Sequence, residues 1–149
     1  PVFAKIAQKH RIEVHVIGAD FDEKVDFVLR CKPWQLEREI ADIQAFDIGV
    51  MPLTDDEWSR GKSGLKLLQY LATGVAAVAS PVGVNRQLIR HQHNGLLATT
   101  PDEWQRALLR LIEDVPFRKK IATTGQQSLE RSYDLEFAAQ QLIQTIESL

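Results

Sequence analysis

The sequence has a single cysteine, Cys31, which excludes an intramolecular disulfide and fits a reducing compartment. No apolar run approaches the roughly 18 residues that a membrane-spanning helix needs, and no signal-peptide pattern is visible. Charge of either sign is not in surplus. Eighteen Lys and Arg against 20 Asp and Glu leave a net charge of −2, so no basic field draws nucleic acid or an anionic membrane surface. Gly-x4-Gly-Lys-Ser/Thr is absent, as is Gly-x-Gly-x-x-Gly after a strand, so the two common nucleotide fingerprints are excluded. No strand end carries an Asp-x-Asp suited to a divalent cation, Asp20 and Asp22 being read as solvated turn formers. Internal repeats, low-complexity tracts and obvious linkers are lacking too.

What remains is an ordinary globular composition, 44% hydrophobic and 26% charged over 149 residues, enough for one domain with a proper core. Val2, Phe3, Ile6 and Ala7 have helical spacing, and Ile12, Val14, Val16 and Ile17 then alternate like a strand before Gly18. Further strands are predicted over 25–31, 47–52, 75–80 and 96–98. Helices are predicted over 33–45, 63–73, 85–91, 102–113, 117–131 and 134–149. Apolar strands separated by helices imply an α/β fold, a Rossmann-like open parallel sheet with helices on both faces. Ligands in such sheets sit beyond the carboxyl ends of the strands. The segments placed there are 18–22, 31–34, 52–64, 80–85 and 99–100.

One of these segments carries a chemical signal. Trp58-Ser59-Arg60-Gly61-Lys62-Ser63-Gly64 leads into an amphipathic helix that ends at Gly74, before an apolar strand. The first backbone N–H groups of a helix are unpaired and carry roughly half a positive charge. Glycines on both sides of Lys62 and Ser63 let a ligand approach the backbone closely. A phosphate or diphosphate needs that combination. The plainer reading is a helix start with Ser63 as its cap. Gly83 is read as a turn glycine, and Trp34 and Trp58 serve stacking or packing. His91 and His93 are read as surface residues at a polar helix end, not a metal pair. The stripe Leu135, Ala138, Leu142, Ile146 and Leu149 is expected to dock a last helix on the domain.

Three blocks then carry a resemblance. The run from Gly64-Leu65-Lys66-Leu67-Leu68-Gln69 through Tyr70-Leu71-Ala72-Thr73-Gly74 to Ser80-Pro81-Val82-Gly83 resembles the donor-binding motif of retaining glycosyltransferases with the GT-B fold, family 4. Asp47-Ile48-Gly49-Val50-Met51-Pro52-Leu53 resembles the strand before it and Asn94-Gly95-Leu96-Leu97-Ala98 the strand after it. The resemblance covers nearly the whole chain. It implies the C-terminal, nucleotide-sugar-binding half of a two-domain enzyme, with the acceptor domain absent and the domain's own first strand missing ahead of Pro1. A missing central strand would leave open sheet edges that favour self-association.

The family pairs two glutamates eight positions apart. The second, which binds the ribose hydroxyls, falls on Gln69; the first, which contacts the sugar, falls on Gly61. Gln69 keeps an acceptor oxygen but loses a carboxylate's charge, and Gly61 keeps no side chain. Asp55, Asp56 or Glu57 are candidates to replace the lost sugar contact. By the same resemblance Gly61, Lys62, Ser63, Gly64 and Leu65 face the donor diphosphate and sugar, Gly83 belongs to a second loop, and Lys32, Pro33 and Trp34 lie near the nucleobase. The implied chemistry is transfer from a nucleotide-diphosphate sugar to a glycan or lipid-linked acceptor, with retention and without an obligatory metal or other cofactor. A cytoplasmic site is expected, with any membrane association supplied by the absent domain. Two other readings stay open. One is a degenerate, non-catalytic glycosyltransferase-like domain kept for assembly. The other is a receiver-like regulatory module, in which Asp20 and Asp22 would mimic an acidic pair.

Overall fold

The computed structural model describes residues 1–22, 24–132, 143, 144 and 146. In order, the chain forms α1 (Val2–Ala7), β1 (Glu13–Ile17), β2 (Val28–Lys32), α2 (Glu39–Gln44), β3 (Ile48–Met51), α3 (Glu57–Arg60) and α4 (Leu65–Ala72). It continues with β4 (Ala76–Ala79), α5 (Asn85–Leu88), β5 (Leu96–Leu97), α6 (Pro101–Glu113) and α7 (Val115–Ser132). Every strand pair is parallel. β1 lies on β2 from Glu13↔Val28 to Ile17↔Lys32, while β4 lies between β3 and β5. The fold is therefore the expected Rossmann-like α/β arrangement of parallel strands and covering helices.

β4 shows why helices must cover both faces. Its four residues are all buried, and they alternate between two cores. Ala76 and Val78 join Ile6, Leu96, Leu108, Leu111 and Ile121 under α1, α6 and α7. Ala77 and Ala79 join Ile43, Leu67, Tyr70, Leu71 and Leu88 under α2, α4 and α5. Small residues in the central strand let both layers approach closely. Gly49 shows the same requirement on β3, since a Cβ there would lie 2.5 Å from the Tyr70 ring.

β1 and β3 do not pair among the described residues, so the strands fall into a two-stranded and a three-stranded sheet. Between them lies a cavity of about 560 Å³, lined by Val14 of β1, Ile48 and Val50 of β3, and Phe3, Ile6 and Ile112 from the helices. It opens between strand edges rather than at the strands' carboxyl ends, so it is not where a ligand site is expected.

Several predicted boundaries move, each for a local reason. β2 begins at Val28 rather than residue 25, because its register on β1 spans five residues. The helix predicted from residue 33 begins at Glu39, after extended backbone at Gln35 and one 3₁₀ turn, Leu36–Arg38. Short α3 escaped prediction. Asp56 caps it, accepting a 2.7 Å hydrogen bond from the Ser59 N–H. α4 starts at Leu65 rather than residue 63, because Gly64 sits at φ +72° and ends any helical path leading in from Ser63. α5 stops at Leu88, beyond which Ile89 is extended and the Asn94 side-chain oxygen Oδ1 accepts from the Arg90 N–H at 2.7 Å. α6 carries a reciprocal cap, Thr100 with Glu103, and Pro101 at its first position. The helix predicted over 134–149, with its apolar stripe, lies outside the described residues.

Candidate functional site

The turn of residues 61–64 follows α3 directly. Gly61 closes α3 at φ −80°, an ordinary helical value, and a Cβ there would meet nothing nearer than the Trp58 carbonyl at 3.6 Å. Glycine is thus not needed at residue 61 for the backbone. Gly64 is different. Beyond its left-handed φ, a Cβ would lie 2.7 Å from Val84 Cγ1 and 2.9 Å from Leu88 Cδ1. Gly64 therefore seats the start of α4 against α5. The N–H groups that open α4 belong to Leu65, Lys66 and Leu67, because the helix starts two residues later than predicted, and Ser63 is not its cap.

Gly83 belongs with this turn. It lies at φ +54°, and its Cβ would sit 2.6 Å from the Arg60 carbonyl oxygen, so the loop after β4 rests on the backbone just before Gly61. Lys62 and Gly61 line an open cavity of about 470 Å³ with Glu57 and Trp58, whose indole is 82% exposed. Lys62, Ser63 and Leu65 are exposed. The acidic candidates separate here. Asp55 pairs with Arg60 at 2.7 Å, which holds its carboxyl below the usual range. Asp56 accepts from the Thr54 hydroxyl and the Ser59 N–H, which lower its pKa in that order. Both are occupied in building α3. Glu57 alone of the three lines the cavity.

A second cluster ties the β2 exit to α4. The Trp34 indole N–H donates to Glu39 Oε1 at 2.9 Å, and Lys66 Nζ stands 3.6 Å from the same oxygen. The Trp34 hydrogen bond, then the Lys66 charge and the neighbouring Gln69 amide, hold the Glu39 carboxyl below its ordinary value against partial desolvation. Gln69 Oε1 is buried with no hydrogen-bond partner among the described residues. Sequence reasoning had marked Trp34 and Gln69 but not Glu39, because nothing local links it to either. Lys32, expected near the nucleobase, pairs with the buried Asp42, 3.4 Å away. Pro33 is exposed between them.

The remaining candidates are structural. His91 Nδ1 accepts the Leu97 N–H at 2.9 Å, and among the described residues no group of three or more His, Cys, Asp or Glu is placed to hold a metal ion. Asp47, at the opposite end of β3 from the turn, pairs with Arg118 at 3.2 Å. Asn85 is fully buried, donates to the Ser80 carbonyl at 3.1 Å, and leaves its side-chain carbonyl without a partner among the described residues, beside Gly64. No helix among the described residues is long and apolar enough to cross a membrane.

The glycine turn, the open start of α4 and an exposed tryptophan at the β2 exit thus share one rim. A family model described as glycosyl transferases group 1 matches residues 2–114. The chain belongs to that family. With the family fixed, the receiver-like reading falls. A D-inositol 3-phosphate glycosyltransferase of Corynebacterium urealyticum is 31% identical over 120 residues, 79% of this chain and 27% of that one. An uncharacterized glycosyltransferase of Methanocaldococcus jannaschii is 28% identical over 119 residues, again 27% of its length. The group 1 chain therefore spans about a quarter of the length of these curated relatives. Among solved structures, Anabaena Alr3699/HepE in complex with UDP and glucose aligns with a TM-score of 0.72 and 23% identity, over 83% of this chain and 33% of that one. The C-terminal domain of the group 1 protein LpcC from Francisella tularensis aligns at 0.62 and 24%, over 74% and 56%. At these identities the likeness establishes the fold, that of GT-B glycosyltransferases.

Proposed function

We propose that this domain binds the nucleotide-diphosphate sugar of a retaining, family 4 glycosyltransferase. The observation that carries the reading is the turn Gly61-Lys62-Ser63-Gly64 set against the open start of α4, on the same rim as Trp34 and Gln69. The relatives' names and the UDP and glucose of the Anabaena complex point the same way. The diphosphate lies over the Leu65, Lys66 and Leu67 N–H groups beside Lys62, with Gly83 on the second side. The ribose lies along α4 toward Gln69, and the base lies beside Trp34.

Transfer breaks the bond between the anomeric carbon and the diphosphate oxygen, and the electron pair leaves with the diphosphate. That charge is the barrier. Preorganised N–H groups and an ammonium stabilise it as it develops, without a solvent reorganisation cost. In this reading Lys62 and the α4 start fill the role that a metal fills elsewhere, and chelation by EDTA leaves donor binding unchanged. Two or three charge-assisted hydrogen bonds of about 1.5–3 kcal/mol, less ordering costs, give a dissociation constant of roughly 0.1–1 mM for this half-site.

The acceptor domain and a further strand belong to the rest of a longer chain in this proposal. The cavity between β1 and β3 supports the strand, which would pair with both free edges and join the two sheets. With those edges open, the 149-residue chain self-associates; a monodisperse monomer in light scattering at high concentration would argue against that. The second reading is a domain retained for assembly without catalysis, favoured by Gly61, which offers the sugar no side chain. Calorimetric titration separates the two. Binding of UDP, GDP or ADP that Lys62→Ala abolishes supports a donor site, and indifference of the folded chain to all three supports a scaffold.

A further inference from the structure

Resting on the donor-site reading, we propose that Glu39 supplies the carboxylate of the ribose subsite, the charge that Gln69 cannot provide. The argument is geometric. Glu39 opens α2, and its side chain is 19% exposed, so one edge remains open to the rim. Trp34 Nε1 and Lys66 Nζ both approach the same oxygen, Oε1. Both approaches are to Oε1, and in this proposal Oε2 is the oxygen that accepts from a ligand. Gln69 comes from α4 and stands beside the carboxylate, and its own Oε1 is buried without a donor among the described residues. A buried acceptor without a donor is unfavourable. A vicinal diol meets both needs. One hydroxyl donates to the carboxylate, and the other donates to the amide oxygen once it turns toward the rim.

The bracket also links recognition to position. Trp34 is 50% exposed and fixed at its N–H by Glu39, so its ring is held in place as a stacking face. Lys66 follows directly on the first N–H of α4 and neutralises Glu39 when no ligand is present. Diphosphate, ribose and base would thereby be measured along one line, from the α4 start through Glu39 to Trp34.

The test compares each nucleoside diphosphate with its 2′-deoxy counterpart on the 149-residue chain, beginning with UDP and dUDP and read by calorimetry and Trp fluorescence. The wild-type chain should prefer the ribonucleotide by roughly tenfold, the scale of one charge-assisted hydrogen bond. Glu39→Gln should bring that ratio close to one while the dUDP affinity stays within about twofold. Adding Gln69→Glu to the Glu39→Gln chain moves a carboxylate across the same subsite and should restore the preference. A Glu39→Gln chain that keeps the wild-type ratio would overturn the assignment while leaving the donor site intact. Equal weakening of UDP and dUDP would also overturn it, by making Glu39 a structural brace for Trp34. If the folded wild-type chain bound no nucleotide, the donor reading itself would fall and Glu39 with it.

Discussion

Gly64→Ala is the perturbation whose cost follows most directly from the geometry. An alanine at φ +72° meets the left-handed penalty, about 1–2 kcal/mol for an L-residue. Its Cβ would also stand 2.7 Å from Val84 Cγ1 and 2.9 Å from Leu88 Cδ1. Both atoms are side-chain ends that shift only by repacking the α4–α5 contact, at about 1–3 kcal/mol. The sum is roughly 2–5 kcal/mol, a large share of the stability of a domain of this size. Denaturant unfolding followed by far-UV circular dichroism reads it, with Gly61→Ala as the internal control. Residue 61 has an ordinary φ of −80° and room for a methyl, so its substitution should cost no more than about 0.5 kcal/mol. Two variants three residues apart in one glycine-rich turn should therefore differ several-fold in their effect. If both are neutral, or both equally damaging, the division of this turn into a structural and a free glycine is wrong.

Three further outcomes follow from the same structure. Gly49→Ala should destabilise by about 1–3 kcal/mol or more, because its methyl enters the Tyr70 ring at 2.5 Å; unchanged thermal unfolding would contradict that packing. Lys62→Ala should weaken nucleoside diphosphate binding about 10- to 100-fold with little change in stability, as expected for one lost hydrogen bond to a charged group on an exposed side chain. Acid should loosen the fold through its capping carboxylates. Glu103 is held below its ordinary 4.5 by the Thr99 and Thr100 N–H groups, and Asp56 below its ordinary 3.8 by Thr54 and Ser59. Depressed folded-state values mean that their contribution is complete above those ordinary values and is lost as pH falls through the folded ones. Glu103→Gln should flatten the acid side of the stability curve, and an unaltered curve would remove Glu103 from that role.

The element order was readable because buried parallel strands leave unbroken apolar runs, and 75–80 could hardly be anything else. The glycine turn was also readable, since Gly61, Lys62, Ser63 and Gly64 are contiguous. What stayed hidden depends on contacts across the fold. The packing role of Gly64 is not legible in the chain order, because its neighbours Val84 and Leu88 lie 20 and 24 residues on. The capping role of Asp56 is hidden because α3 is a helix of four residues, too short to show periodicity. Glu39 was missed because its partners Lys66 and Gln69 lie on another helix. The Lys32–Asp42 pair likewise joins two separate elements, β2 and α2, and does not show in the chain order.

The donor-site claim is tested most directly by two-dimensional amide NMR of the folded chain during titration with UDP, GDP and ADP. The account predicts that at least one of them, at millimolar concentration or below, shifts the amides of Gly61, Lys62, Leu65, Lys66 and Gln69 together with the Trp34 indole N–H, and that Lys62→Ala suppresses these shifts. A well-dispersed spectrum that no nucleotide perturbs, or shifts confined to the cavity between β1 and β3, would contradict it.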